Sequence, residues 1–267
     1  MAIVRSKGVD IFYDIYNKSS HKVPIFFIAG LNGMRSACMK QATYFDKKRP
    51  VILHDHRGTG ASGKPIQSYS VEEMAMDVIA VMDDLQIPKA HMVGTSLGGA
   101  ITQVLCVQYP ERIQSAGIIC SFVKKDPFLT RQFEMRKKVL EALGTETLMH
   151  LTSTTLNDPK YFTDHYEDIL AREKVLLANA PPLQVEVARI EAVLKFDQSA
   201  SLHKITTPTF VVGANNDVVC PPYCSIDLAN KIPNAKLKIY QDGGHFFYLV
   251  YSDQFNSEIE EFILANE

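Results

Sequence analysis

The 267-residue chain has little that would suit it to polyanions or membranes. Its 28 lysines and arginines stand against 30 aspartates and glutamates, a formal charge of -2. There is no basic excess to track a nucleic-acid backbone and no polybasic patch for anionic lipid. No apolar run approaches the ~20 residues of a membrane-spanning helix, and residues 1–7 hold no apolar segment of a secretion signal. The five cysteines, at positions 38, 106, 120, 220 and 224, are odd in number and scattered, which argues against a disulfide framework and for a reducing compartment. Cys220 and Cys224 have no second pair, so their spacing argues against zinc. A Walker lysine and a G-x-G-x-x-G run are both missing, so the glycines of residues 55–62 do not predict a phosphate cradle. Internal repeats and low-complexity segments are absent too. The expectation is a cytoplasmic protein that acts on a neutral or weakly charged small molecule without a metal or organic cofactor. Oligomeric state is left open.

Strand and helix patterns alternate along most of the chain. Two extended stretches at 3–5 and 9–16, split by Lys7-Gly8, predict a hairpin. The continuous apolar run 24–29 predicts a central strand buried on both faces, ending at Gly30-Leu31-Asn32-Gly33. A helix over 36–46 and a strand over 51–54 follow. Residues 71–85 place Met74, Val78, Val81, Met82 and Leu85 on one helical face, with Ser70 and Glu73 as a capping box. A strand at 90–93, a helix from 100, and a strand over 115–122 come next. Such alternation predicts a mostly parallel sheet with helices on both faces. It stops at 124–200, where only helical segments are legible, broken at Asp158-Pro159 and Pro181-Pro182. Its large apolar side chains, Phe128, Phe133, Leu140, Val193 and Phe196 among them, exceed what an isolated helical layer could hide, so the region is expected to pack on the core or line a pocket. Alternation returns with a strand over 208–213, a helix over 223–231, a strand over 236–240 and a closing helix over 253–265.

Residues 93–99 read Val-Gly-Thr-Ser-Leu-Gly-Gly. This is G-x-S-x-G between a strand and a helix, the setting in which a serine is held on a strained turn with its hydroxyl exposed. The bland alternative is a strand-end turn, since glycine and serine are common there. A serine hydroxyl attacks poorly unless a base takes its proton, and the base needs a carboxylate to orient it. His245, after Gly243-Gly244, and Asp217, in the loop after the 208–213 strand, both follow strands at the carboxyl edge where Ser96 lies. Asp126 is the rival acid; Asp242 is too close to His245 along the chain. Of the other histidines, His54 and His56 are the ones that lie near the same edge. Backbone N–H groups of Leu97 and Leu31 are the candidate oxyanion donors.

These residues together resemble the α/β-hydrolase superfamily, particularly small serine hydrolases similar to 3-oxoadipate enol-lactonases and aminoacrylate-hydrolase-like proteins. The resemblance spans 24–122 and 201–265. It includes residues 55–62, which look like the family's D-x-R-G-x-G-x-S, and Gly244-His245. Departures are Thr95, where many relatives carry histidine, and Ala214-Asn215-Asn216-Asp217, where G-x-x-D is common. The resemblance implies an α/β-hydrolase fold of about eight strands, with a core formed by 1–123 and 201–267 and a helical cap inserted at 124–200. It also implies hydrolysis of a small carboxylic ester or lactone through an acyl-serine intermediate, with Ser96 as nucleophile, His245 as base and Asp217 as acid. Carbon-carbon bond hydrolysis of a diketone-like substrate and a slow-turnover ligand receptor are the alternatives. Dehalogenase and epoxide hydrolase chemistry is disfavoured, because those relatives carry an aspartate at the position of Ser96.

Overall fold

The computed structural model describes residues 2–267. Strands β1 (Ala2–Ser6), β2 (Val9–Tyr16), β3 (Ile25–Ile28) and β4 (Val51–His54) are followed by β5 (Ala90–Thr95), β6 (Ile113–Ile119), β7 (Thr209–Ala214) and β8 (Lys236–Tyr240). They form one eight-stranded sheet in the order β1-β2-β4-β3-β5-β6-β7-β8. β1 and β2 are antiparallel, as is β2 against β4, and every other pairing is parallel. This is the α/β-hydrolase fold.

The strands sort their side chains by the two-residue period of extended chain. Phe26, Ile28, Ile52, Met92, Ile118 and Val211 enter the core on one face. Their neighbours Ile25, Phe27, Val51, Leu53, Val93, Ile119 and Val212 enter the core on the other. Burial on both sides explains why the central strands are apolar without interruption. Helix α1 (Met39–Phe45) covers the second face, and α2 (Val71–Asp84) and α3 (Leu97–Gln108) cover the first. The expected helix over 36–46 begins instead as a 3-10 turn, Arg35–Cys38, before α1. On α2, the Ser70 side chain accepts a hydrogen bond from Glu73 N at 3.1 Å, half of the expected capping box.

Four helices lie between β6 and β7: α4 (Pro127–Leu156), α5 (Pro159–Asp164), α6 (Tyr166–Ala178) and α7 (Leu183–Lys195). Asp126 caps α4 and Asp158 caps α5, each followed by a proline in the first turn, where its missing N–H costs nothing. Helix α4 is broken at Gly144, whose φ of 84° and ψ of 174° are not helical. A bridge between Lys124 and Asp197 ties the outgoing chain to the returning one. Within this region, whose apolar side chains were expected as a group to pack on the core or line a pocket, Phe133, Leu140, Val193 and Phe196 are buried and Phe128 is 47 % exposed. Phe128 sits in the first turn of α4, about 100° round the helix from the buried Leu129. Helices α8 (Pro222–Lys231), α9 (Phe247–Val250) and α10 (Ser252–Leu264) complete the chain. Among the described residues no helix is long and apolar enough to cross a membrane.

Candidate active site

Ser96 stands between β5 and α3 with φ 55° and ψ -115°. An L-residue at positive φ is strained by about 1–3 kcal/mol and persists only where its surroundings impose it. Here the crossing of strand and helix imposes it. A Cβ on Gly94 would lie 2.1 Å from the Gly98 carbonyl oxygen, and one on Gly98 would lie 2.1 Å from the Ile28 carbonyl oxygen. The elbow is also tied down: Ser96 N donates to Ile119 O at 2.8 Å, and the Ser121 hydroxyl donates to Ser96 O at 2.8 Å. Within residues 90–106 Ser96 alone keeps partial exposure.

Parallel pairing of β3 with β5 sets Ile28 opposite Gly94, so the turn after β3 meets the elbow. A Cβ on Gly30 would be 3.4 Å from Ser96 Cβ and 3.9 Å from its Oγ. Leu31 is therefore the next residue along a backbone already against the serine. Leu97 is the first residue of α3, where N–H groups have no carbonyl one turn back. Both candidate donors flank Ser96.

His245 follows β8 on a short 3-10 turn, Gly244–Phe246, entered through Gly243 at φ 99°. Its Nδ1 lies 2.8 Å from Asp217 Oδ2. Asp217 Oδ1 accepts from Val219 N at 2.7 Å and Cys220 N at 2.9 Å, which pins the carboxylate from the other side. Asn216 Oδ1 accepts from Gly244 N at 2.8 Å, and Asn216 Nδ2 donates to Asp158 Oδ2 at 3.0 Å. This neighbour of Asp217 links the acid loop, the histidine loop and the start of α5. By sequence it has no evident role, because asparagine is routine in a turn. Asp126 is directed elsewhere: it accepts from Leu129 N at 2.7 Å and from the Tyr223 hydroxyl at 2.6 Å.

Ser96, His245, Gly30 and Leu31 border a cavity of about 180 Å³. Helices α4, α6 and α7 supply Phe133, Leu148, Met149, Leu156, Leu176 and Ile190 to its wall. Two arginines, Arg136 and Arg189, also border it. Neither is singled out by sequence motif, although both carry one local signal, a cation at a buried position of an apolar helical stripe. Arg189 lies between Val185 and Val193 at four-residue spacing and is 2 % exposed. It donates to the backbone carbonyls of Leu31 and Arg57, and so clamps the turn after β3 from above.

His54 and His56 pack beneath that turn. Their rings stack with centroids 4.8 Å apart, and His56 N donates to Gly33 O at 2.9 Å. Burial, with Arg189 nearby, pushes His54 down to about 3 and His56 well below the ordinary histidine value. His91, hydrogen-bonded to Ser115 Oγ at 2.8 Å, is pushed down to about 4, mainly by burial. All three are neutral in the fold near neutral pH, whereas the unfolded chain protonates them near the ordinary value. Their contribution to stability is thus complete above about pH 6.5 and is lost as pH falls toward 4, by up to ~1.4 kcal/mol per pH unit for each. We expect the thermal midpoint to drop by at least ~10 °C between pH 7 and pH 5. A midpoint constant over that interval would contradict neutral burial.

Residues 55–62 serve the loop itself. The Asp55 carboxylate accepts from Arg35 N at 2.8 Å, Arg35 Nη1 at 2.5 Å and Ala61 N at 2.9 Å, and Ser62 Oγ donates to Asp55 O at 2.6 Å. Arg57 makes a bidentate pair with Asp77 of α2, 2.7 Å in each arm. Cys120, Asp217 and His245 place potential ligand atoms within 4.8 Å of one another. The Asp217 and Nδ1 atoms are already bonded to each other, and burial raises the Cys120 thiol well above its ordinary value, which keeps it protonated.

Comparison with known proteins agrees with this fold. A family model described as alpha/beta hydrolase fold matches residues 23–250. A protein of Azorhizobium caulinodans provisionally named carbamate hydrolase RutD is 34% identical over 256 residues, covering 96% of each chain. Among solved structures, an enol-lactonase from Burkholderia xenovorans LB400 superposes with a TM-score of 0.91 at 20% identity, over 98% of this chain and 100% of that one. An enzyme described as degrading N-acyl homoserine lactones matches at 29% identity and a TM-score of 0.85, over 98% and 100% of the two chains.

Proposed function

The chain belongs to the alpha/beta hydrolase fold family and is a hydrolase, and on that premise we propose that it cleaves a small carboxylic ester or lactone through an acyl-serine intermediate. The observation that carries this reading is the Asp217–His245 hydrogen bond at 2.8 Å, made beside a cavity that the strained Ser96 also borders. With Nδ1 turned to the carboxylate, Nε2 is left to accept a proton. Ser96 Oγ attacks the acyl carbon as its proton passes to His245 Nε2. The carbonyl oxygen becomes an oxyanion beside the Leu31 and Leu97 N–H groups, and Asp217 stabilises the imidazolium. Collapse breaks the acyl C–O bond, and the alkoxide leaves with the proton from Nε2; in a lactone it stays tethered. Water, deprotonated by His245, then attacks the acyl-serine, releasing the acid and restoring the Ser96 hydroxyl. The helices over 124–200 act as the cap that selects the substrate, since they furnish much of the apolar wall.

The similar proteins include one named for carbamate hydrolysis and one described as degrading a lactone. Both chemistries break a bond between an acyl carbon and an electronegative leaving atom, which is the step this arrangement suits. The test is a panel of short acyl esters and lactones given to wild type and to His245→Ala. We expect turnover of short substrates and a fall in kcat of at least ~10³-fold in the variant. Activity within a few-fold of wild type would remove His245 as the base.

A further inference from the structure

Helix α4 buries Leu129, Phe133, Arg136 and Leu140. Their spacings of four, three and four residues put them on one face. Three suit a buried face, and the fourth is a guanidinium. Arg136 is 8 % exposed, and its Cζ lies 5.1 Å from the centre of the Phe133 ring. Every other buried arginine has acceptors. Arg49 meets Val23 O and Glu267, Arg57 meets Asp77, and Arg189 meets two backbone carbonyls. Among the described residues, Arg136 has neither a hydrogen-bond acceptor nor an ion-pair partner.

Neighbouring acids are already engaged. Asp217 is within electrostatic reach of Arg136, but both of its oxygens are taken by His245 and by the Val219 and Cys220 amides. Glu186, the carboxylate that borders the cavity, accepts from Thr145 Oγ1 at 2.9 Å. A charged fork of five donors, buried but for its edge on the cavity and left without acceptors among the described residues, is costly unless something entering the cavity completes it.

We propose that Arg136 is the subsite for a carboxylate carried by the substrate, so that the ester or lactone cleaved at Ser96 is itself an anion. The proposal rests on the acyl-serine reading above and narrows it. A planar guanidinium donates two parallel hydrogen bonds to a carboxylate, and in a largely apolar cavity such bonds are stronger than in water. A neutral ester would instead leave the buried charge unpaired. With about 180 Å³ available, the substrate class is a short carboxylic acid bearing an ester, such as a dicarboxylic monoester, or a small lactone acid. Composition alone favoured a neutral or weakly charged molecule; the position of Arg136 specifies the charge.

Monomethyl succinate and methyl 4-oxopentanoate test this directly, because they differ by a carboxylate in place of an acetyl group of similar shape. Wild type is expected to favour the first by at least ~30-fold in kcat/KM, the scale of a charge-assisted pair. Arg136→Met is expected to bring the ratio to within ~3-fold of one, and Arg136→Lys to restore part of it, since lysine keeps the charge without the fork. Calorimetry on the Ser96→Ala protein reads the subsite without chemistry. Succinate is expected to bind there, and at least ~10-fold more weakly once Arg136→Met is added.

A wild-type ratio near one, or a ratio unchanged in Arg136→Met protein that still titrates one fluorophosphonate-reactive serine per chain, would overturn the subsite. If neither ester is cleaved yet succinate binds in an Arg136-dependent way, the subsite stands and the hydrolytic reading fails. If both are cleaved without preference and succinate does not bind, the reverse holds. Should Arg136→Met fail to fold, the wild-type ratio and Arg136→Lys still decide.

Discussion

Ser96→Ala protein is expected to lose ~10⁴- to 10⁶-fold in kcat on short esters and all reaction with a fluorophosphonate, while keeping its fold. The loss is large because the proposed mechanism has no second nucleophile in place. Cys120 is held protonated by burial, and its backbone at φ 40° sits below the elbow, bonded through N to Val212 O at 2.7 Å. The fold is kept because the elbow is imposed by backbone. Ser96 N and O are held by Ile119 and Ser121, and alanine bears the same φ of 55° at similar cost. The midpoint of thermal unfolding should therefore move by no more than about 3 °C. Mass spectrometry of fluorophosphonate-treated protein supplies the check. A label that persists in Ser96→Ala protein would move the nucleophile elsewhere.

Asp217→Asn is expected to lower kcat by ~10³- to 10⁴-fold, whereas Asp126→Asn should leave it within ~3-fold. The contrast follows from hydrogen-bond direction. In the wild type Asp217 Oδ1 takes the Val219 and Cys220 amides, leaving Oδ2 to accept from His245 Nδ1–H. Asparagine must give its single carbonyl oxygen to those two amides, so its NH₂ faces the imidazole. The imidazole then turns Nδ1 into an acceptor and places its proton on Nε2, where it cannot take the serine proton. Asp126 does different work, capping α4 and accepting from Tyr223. An asparagine cap is nearly equivalent, so the cost falls on stability and stays below ~1 kcal/mol. Parallel steady-state assays and melts separate the two. Equal losses of activity, or the larger loss at Asp126, would reassign the acid.

Much of the fold was legible because its signals are local. The apolar run at 24–29, the capping residue Ser70 and the Asp158-Pro159 break each act within a few residues, and each marks an element or its edge in the structure. Ser96 belongs with them, since the clash between Gly94 and the Gly98 carbonyl is a short-range matter. Asp217 and His245 could be nominated from their places after two strands. Their 2.8 Å contact bridges 28 residues and depends on β7 and β8 lying side by side. Boundaries set by packing were harder. The 3-10 start before α1 and the break at Gly144 were not legible, and burial in the 124–200 region could be expected only for the region as a whole, within which Phe128 lies exposed.

By itself, then, the sequence determined the alternation of strand and helix, the sharp turn that presents Ser96, and the order of the candidate nucleophile, acid and base along the chain. These depend on periodicity, turn stereochemistry and the sheet edge, all carried by short stretches of residues. Only the tertiary structure decided what each charge faces. Arg189 reaches the Leu31 carbonyl across 158 residues, Asn216 spans the histidine loop and α5, and Arg136 on the cavity wall meets no acceptor among the described residues. A helical stripe tells that a position is buried. Whether a cation there is paired, clamping a loop or waiting for a ligand depends on the atoms that the rest of the chain brings opposite it.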